Sequence, residues 1–316
     1  ISEFVKSVQS GSISVSEHAH KIVEEIEKKN KEFHHFNSFD KKSVIAQAEK
    51  IEKEIKKGKK GKLLGVPVSV KDCLCVKGLE SRAGAKILNG YIPFFDATAV
   101  EKARNEGAII LGKTAQDEFG YGTFSVHHTA GEIPLNPLDK TRSCGGSSGG
   151  AAGFTALTNF THAAIGVSTG GSIACPASFC GVASMTPTYG TVSRYGLMDY
   201  ANSLDKIGSM GKTIADAKVL LESIAGQDEK DSTSAQNSMG KKPSPIKKIG
   251  LPKEIFDSVE NSDVKKIVMK KISEAEKSGV KVEEVSLPLN TEYGLAVYYL
   301  IAMAEASTNL AKYCGM

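Results

Sequence analysis

The sequence predicts an α/β protein, and three observations carry that prediction. Apolar residues recur at helical spacing in several segments. Short, continuous apolar runs of strand type lie between them, and glycine- and serine-rich turns stand where one pattern gives way to the other. Of the 316 residues, 41% are hydrophobic and 24% charged, which is ample material for a packed core.

Ser14-x-x-Glu17 has the form of a capping box, and Ile22, Val23 and Ile26 follow at helical spacing. A second amphipathic helix runs through Val44, Ala48, Ile51 and Ile55 and ends near Gly58. Together they make an N-terminal helical segment over about 1–60. The period then changes. Gly65–Val70 reads as a buried strand that delivers Lys71 at its C-terminal end, Ala97–Glu106 as a helix, and Gly107–Leu111 as a strand. A helix over Gly149–Thr158 is entered directly from a serine-glycine cluster, and the strand His162–Val167 leads into a second cluster. This core, about 61–226, ends at a polar connection over about 227–248 that contains two prolines and reads as exposed. A strand (Lys248–Leu251), a helix (Val264–Lys277), a strand (Val280–Val285) and a helix (Tyr293–Lys312) follow over 249–316. They are expected to continue the same sheet, so that 1–316 forms one incomplete domain.

The bulk properties exclude several classes. A net charge of +4 is mild, and the lysines of 50–62 read as a solvated helix and loop rather than a nucleic-acid stripe. No apolar run approaches the ~18 residues of a membrane helix. The chain opens at Ile1 without a signal-peptide pattern, so its natural start is expected to lie outside the sequence. Cys73, Cys75, Cys144, Cys175, Cys180 and Cys314 show no paired C-x-x-C spacing and read as free thiols of a cytoplasmic protein. Cys144 and Cys175 flank the serine clusters, so a thiol reagent would inhibit by bulk alone.

The chemistry lies in Cys144-Gly-Gly-Ser-Ser-Gly-Gly150 and Thr169-Gly-Gly-Ser-Ile173, with Lys71-Asp72 upstream. Dense glycine lets backbone N–H groups approach a reacting atom, because no Cβ stands in the way. Serine supplies a nucleophile, lysine a base and bare amides an oxyanion hole. No histidine stands where a Ser-His-Asp site would need one. Any one Gly-Ser cluster alone is more often a linker or a tight turn, and a lone Lys-Asp is usually a loop start; together, each at a strand or helix end, they read as a serine–lysine acyl-transfer site. Neither cluster is a phosphate loop, since no Gly-Lys-Ser/Thr closes it. His34-His35 and His127-His128 are expected at the surface, and no third ligand at usable spacing makes either a metal site.

Further segments carry a resemblance. They are Gly65-Val-Pro-Val-Ser-Val-Lys-Asp72, Gln116-Asp-Glu-Phe119, Gly145-Gly-Ser-Ser-Gly-Gly150, Thr169-Gly-Gly-Ser-Ile173 and Pro176-Ala-Ser-Phe-Cys-Gly181. With them go Val192-Ser-Arg-Tyr-Gly196, Ser203-Leu-Asp205, Lys230-Asp-Ser-Thr233 and Ala304-Glu-Ala-Ser307. Through these the whole chain resembles the amidase-signature enzymes, and within them the A subunits of the glutamyl-tRNA(Gln)/aspartyl-tRNA(Asn) amidotransferases.

The resemblance implies a single domain with a mixed central sheet surrounded by helices. It implies Ser172 as nucleophile, Lys71 as base, and Ser147, held by a cis peptide, as the relay between them. Backbone N–H groups of Thr169, Gly170, Gly171 and Ser172 would form the oxyanion hole. Gly122 and Tyr299 would line the substrate pocket, and Glu118 would face an ammonia path. No cofactor or metal is expected in this chain; ATP and Mg²⁺ would belong to a partner B subunit, with a small C subunit bracing the two. Glutamine would be the substrate, and misacylated tRNA a partner of the complex. A lysine with an ordinary pKa near ~10.4 is protonated at neutral pH, so Lys71 must be desolvated to act as a base, and the apolar strand before it suits that.

The chain departs from the family in four places. It has Gly166-Val-Ser-Thr-Gly-Gly-Ser-Ile-Ala174 where the family usually has Gly-Ser-Asp-Thr-Gly-Gly-Ser-Ile-Arg, so Ser168 and Ala174 replace an acid and an arginine. Loss of both members of a buried pair is close to neutral, whereas loss of one strands a charge. The connection around Thr158–Thr161 is one residue longer, and Gly120-Tyr-Gly-Thr-Phe-Ser-Val-His-His128 replaces a differently composed loop that lines the substrate entrance in relatives. Relatives also continue beyond Met316, into a region whose charged residues grip the α-amino and α-carboxyl groups of glutamine, so the chain is expected to be a fragment. The expected activity is the glutaminase step that feeds ammonia to an aminoacyl-tRNA amidotransferase. The alternatives are a free-standing amidase acting on a small or apolar amide, and a silent scaffold that docks the partner subunits.

Overall fold

The computed structural model describes residues 1–236 and 245–314, and the chain divides into two compact units, Ile1–Met239 with Glu305–Met316, and Gly240–Ala304. The first unit opens with α1 (Ser2–Gln9) and α2 (Val15–Phe33). Ser14 Oγ accepts the Glu17 N–H at 3.2 Å, the forward half of the expected capping box. The helix buries Val15, Ala19, Ile22, Val23 and Ile26, the stripe its spacing predicts. A short strand, β1 (Phe36–Phe39), separates it from α3 (Lys41–Lys56), where Asp40 Oδ1 accepts the N–H of Lys42 and Ser43. The buried face of α3 carries Val44, Ala48 and Ile51.

The core then alternates strand and helix: β2 (Pro67–Lys71), α4 (Thr98–Asn105), β3 (Ile109–Thr114), α5 (Gly149–Leu157), β4 (Ala163–Ser168) and α6 (Ala174–Cys180). It closes with β5 (Ala183–Met185), β6 (Lys206–Gly211) and α7 (Ile214–Ile224). The six strands form one sheet in the order β1-β3-β2-β4-β6-β5. β2 runs parallel to both β3 and β4, while β1, β6 and β5 join antiparallel, which is the expected mixed sheet. A strand flanked by parallel neighbours is covered on both faces, and every residue of β2 is buried. Its carboxyl end therefore delivers Lys71 into a closed interior, beside the end of β4.

The polar connection is structured at its start. Asp228 Oδ2 accepts from the hydroxyls of Thr98 and Ser193, both at 2.6 Å, and Asp231 Oδ2 accepts the Arg194 N–H at 2.8 Å. Lys230-Asp-Ser-Thr233 thus folds onto Val192-Ser-Arg-Tyr-Gly196. The remainder, 237–244, lies outside the described residues.

The second unit holds β7 (Lys248–Pro252), α8 (Lys253–Asp257), α9 (Ser262–Lys277), β8 (Lys281–Val285) and the first part of α10 (Pro288–Cys314). The expectation that these strands continue the main sheet is corrected: among the described residues, β7 and β8 pair only with each other, in parallel, from Lys248↔Lys281 to Pro252↔Val285. Pattern identifies a strand but not its neighbour, since the ladder is made by whichever backbone the tertiary fold presents. From Glu305 onward α10 belongs to the first unit, where Asn309 Nδ2 donates to the Tyr200 carbonyl at 3.1 Å and Tyr313 stacks on Phe119. No helix among the described residues is long and apolar enough to cross a membrane.

Candidate active site

Lys71 is 1% exposed, and its Nζ lies 2.8 Å from Ser147 Oγ and 3.1 Å from the Val167 carbonyl. Burial pushes its amine below the ordinary lysine range, with Cys73, Asp117 and Asp205 pulling part of the way back. Ser147 is 1% exposed and follows a cis Gly146–Ser147 peptide, where the resemblance places one. Its carbonyl accepts the Asp117 N–H, and Ser148 Oγ donates to the Val167 carbonyl at 3.2 Å. Ser147 and Ser148 are therefore tied to the segment after β3 and to β4 respectively.

Ser172 stands half-buried in the loop between β4 and α6. The loop turns sharply. Gly171 has φ +149°, and its N–H donates to Ser168 Oγ at 3.1 Å. Ser168, which replaces the family acid, is 2% exposed and keeps an acceptor at this position, while Ala174 is exposed. Position 174 is thus not a buried partner for residue 168 here. Of the N–H groups expected in the oxyanion hole, that of Gly171 is engaged inside the loop, on Ser168 Oγ.

Asp117, fully buried, organises the segment after β3. Its Oδ2 accepts the Ser125 N–H at 2.8 Å and its Oδ1 the His127 N–H at 3.0 Å. A Cβ on Gly122 or on Gly146 would overlap this carboxyl group, so Gly122 is a spacer that lets the loop close over Asp117. Gly122 is half-buried beside these groups, whereas Tyr299 is 45% exposed on α10 within the second unit. Glu118 Oε1 accepts from Thr129 Oγ1 at 3.1 Å, and Glu118 lines a cavity of about 350 Å³ with Phe119, Tyr121, His127 and Leu310.

A second buried lysine was not singled out by the sequence. Lys113 is wholly buried on β3, with Nζ 3.0 Å from the Asp72 carbonyl, 2.8 Å from Ser81 Oγ and 3.6 Å from Asp72 Oδ1. Asp72 also accepts from Asn37 Nδ2 and from the N–H groups of Arg82 and Gly84. The Lys-Asp pair at the end of β2 therefore divides its work: Lys71 meets Ser147, and Asp72 anchors the following loop. A lysine in Ile-Ile-Leu-Gly-Lys-Thr was the available signal, because lysine is rarely fully buried without a partner.

The surface placement expected for His34-His35 is corrected for His35. It is 2% exposed, its Nε2 pairs with the Leu135 carbonyl at 2.9 Å, and burial pushes its pKa down to about 4. Glycine at 153 makes the room, since a Cβ there would overlap the imidazole. No group of three His, Cys, Asp or Glu residues able to hold a metal ion occurs among the described residues. Cys73, Cys75, Cys144, Cys175 and Cys180 are free; the side chain of Cys314 lies outside the described residues.

An amidase family profile matches residues 17–316. The A subunit of glutamyl-tRNA(Gln) amidotransferase from Desulforudis audaxviator is 41% identical over 311 residues, covering 96% of this chain and 63% of that protein. The protein of the same name from Methanosarcina mazei is 46% identical over 277 residues, covering 86% of this chain and 57% of that protein. The crystal structure of the glutamyl-tRNA(Gln) amidotransferase A subunit from Thermotoga maritima superposes with a TM-score of 0.73 at 40% identity, over 79% of this chain and 56% of its own. The chain thus spans about three fifths of the length of these relatives. A profile match from residue 17 to the last residue, over a fold that brings the lysine to the cis-peptide serine, places the chain in the amidase family.

Proposed function

We propose that this chain supplies the glutaminase chemistry of a tRNA-dependent amidotransferase. The observation that carries the reading is the 2.8 Å contact between Lys71 Nζ and Ser147 Oγ, excluded from solvent, at the sheet end from which the Ser172 loop departs. Burial favours the neutral amine that a base must be. Lys71 takes the Ser147 proton as Ser147 takes that of Ser172, and Ser172 Oγ attacks the carboxamide carbon of glutamine. Backbone N–H groups of Thr169, Gly170 and Ser172 hold the oxyanion, a type of contact whose removal typically costs ~10²–10³ in rate. The proton returns through Ser147 to the leaving nitrogen, ammonia departs, and water releases glutamate from the Ser172 ester. The names of the amidotransferase A subunits that this chain resembles support glutamine as the donor.

On this reading the ammonia passes Glu118 to a B subunit that activates a misacylated tRNA with ATP and Mg²⁺. A C subunit braces the pair, this chain itself needs no cofactor, and the setting is the cytoplasm, where tRNA is charged. One observation favours a free-standing amidase instead: Tyr121, Phe124 and Val126, on the loop that departs from the family, are exposed apolar residues beside the buried Asp117 and Ser125. Ammonia release from L-glutamine by the complete gene product separates the two, measured with and without B and C subunits and against Ser172→Ala. Release that needs Ser172 and rises with the partners is expected. Turnover of apolar amides without glutamine hydrolysis would instead establish the free-standing amidase.

A further inference from the structure

The loop between β4 and α6 is held from outside by groups that the proposed reaction does not consume. Thr169 begins this loop, and its Oγ1 donates to Asp205 Oδ1 at 2.6 Å. The other oxygen of that carboxylate accepts the N–H groups of Tyr200 at 2.8 Å and Ala201 at 3.1 Å. The carboxylate is thereby oriented by backbone on one side and grips the threonine with the other. Asp205 is 1% exposed, and Lys206, which follows it, opposes Ser168 in the β4–β6 register. Lys206 Nζ donates to the Thr169 carbonyl at 3.2 Å. Asp205, just before β6, and Lys206, its first residue, therefore fix the side chain and the carbonyl of Thr169.

What lies downstream makes this fixing consequential. Gly170 and Gly171 follow, and glycine has the widest choice of backbone conformation. Ser168 holds the N–H of Gly171, and the N–H of Cys175 holds the Gly171 carbonyl at 2.9 Å, so the loop is restrained at its α6 end. Without the Thr169 anchor, the β4 end of the loop, from Thr169 to Gly170, could shift. An oxyanion hole works only when its donors already point to where charge develops.

We infer that Asp205 is a positioning residue for acyl transfer, acting through the Thr169 hydroxyl to orient the backbone N–H groups that receive the oxyanion. The inference rests on Ser172 being the nucleophile, but not on glutamine being the substrate. The Thr169 hydroxyl donates to the carboxylate throughout and passes no proton onward.

The test is the labelling rate of the full-length protein by an alkyl fluorophosphonate. Ser172 Oγ bonds to phosphorus, fluoride leaves, and the phosphoryl oxygen occupies the hole, so the rate reads the loop geometry whatever the natural amide. Thr169→Val should slow the saturating rate about 10- to 100-fold, with little change in the half-saturating concentration, as misplaced donors do. Thr169→Ser, which keeps the hydroxyl, should stay within about threefold of wild type. Asp205→Asn should slow labelling, because the oxygen it keeps is held by the N–H groups of Tyr200 and Ala201 and its amide nitrogen does not accept from the Thr169 hydroxyl. Adding it to Thr169→Val should cost no more than about another threefold.

A wild-type rate in a Thr169→Val protein that melts normally would overturn the inference, as would fully multiplicative losses in the double variant. The Thr169 pair keeps the test decisive if Asp205→Asn fails to fold. Absence of wild-type labelling above a Ser172→Ala background would remove the nucleophile reading, and the inference with it. Normal labelling with no glutamine turnover would leave the inference standing and remove only the glutaminase.

Discussion

Lys71 and Ser147 lie 76 residues apart in the chain, yet their side chains meet at 2.8 Å in an interior that admits almost no solvent to either. The contact joins the carboxyl end of a central strand to the residue after a cis peptide. Burial favours the neutral form of this amine over its charged form.

Lys71→Met should lower acylation of Ser172 by about 10²–10⁴, the usual range for loss of a general base. In wild type, kcat/KM should rise with pH along a limb whose pKa lies below the usual lysine value, and the variant should lack that limb. Stability carries the same signature. Between the depressed folded value and about 10.5 the unfolded chain binds the proton that the folded chain does not, so stability rises with pH across that window. Lys71→Met should flatten the rise in urea titrations run at several pH values. Lys113 also titrates low through burial, so the difference between wild type and variant is the quantity that reports Lys71.

Lys113→Met should destabilise the protein by about 3–5 kcal/mol, because it leaves the buried Asp72 carboxylate without its cation. Adding Asp72→Asn should recover part of that loss, so the urea midpoint of the double variant should exceed that of Lys113→Met. A double variant no more stable than the single would show that the ion pair is not what holds the loop after β2.

Gly122→Ala should cost about 1–3 kcal/mol, as overpacked positions do, since the new methyl would overlap the Asp117 carboxyl group. The displaced carboxylate would release the N–H groups of Ser125 and His127. Serine labelling should fall along with stability, because Ser125 Oγ accepts the N–H of Gly149 beside the catalytic turn. Thermal melting and fluorophosphonate labelling of the same preparation check both effects.

Among the cysteines whose side chains are described, Cys175 alone is not buried, and its Sγ lies 3.6 Å from the Thr123 carbonyl. A maleimide should therefore modify Cys175 first of these, and the bulk it adds beside the Ser172 loop should block labelling of the serine. Cys175→Ser should label at the wild-type rate and resist the maleimide. Peptide mapping by mass spectrometry identifies the modified thiol.

Local pattern made much of this molecule legible. The α2 cap at Ser14, the stripes of α2 and α3, and the apolar β2 ending at Lys71 follow from side-chain chemistry within a few residues. The catalytic candidates were legible because glycine packed around serine is unusual, and because the same blocks recur in family order. Elements with weaker local signal were not legible: α1, the short β1 and β5, and β6, whose Lys-Ile-Gly-Ser-Met-Gly gives little alternation. The positioning residues were hidden for another reason. Lys113 lies in no motif, and Asp117 and Asp205 lie in family segments that do not say what they hold; only burial and partners show that.

The sequence by itself determined the α/β alternation and the α2 cap at Ser14, and it singled out Lys71, Ser147 and Ser172 as candidates, because the first two are written in periodicity and propensity and the candidates in contiguous motifs that resemble a family. Tertiary structure decided which strands pair, so that β7 and β8 form a separate sheet among the described residues. It also placed Lys71 on Ser147, turned Asp72 toward Lys113, and engaged the Gly171 N–H with Ser168. Pairing, burial and hydrogen-bond partners depend on groups far apart in the chain, and the field that shifts a buried lysine exists only once those groups have closed around it.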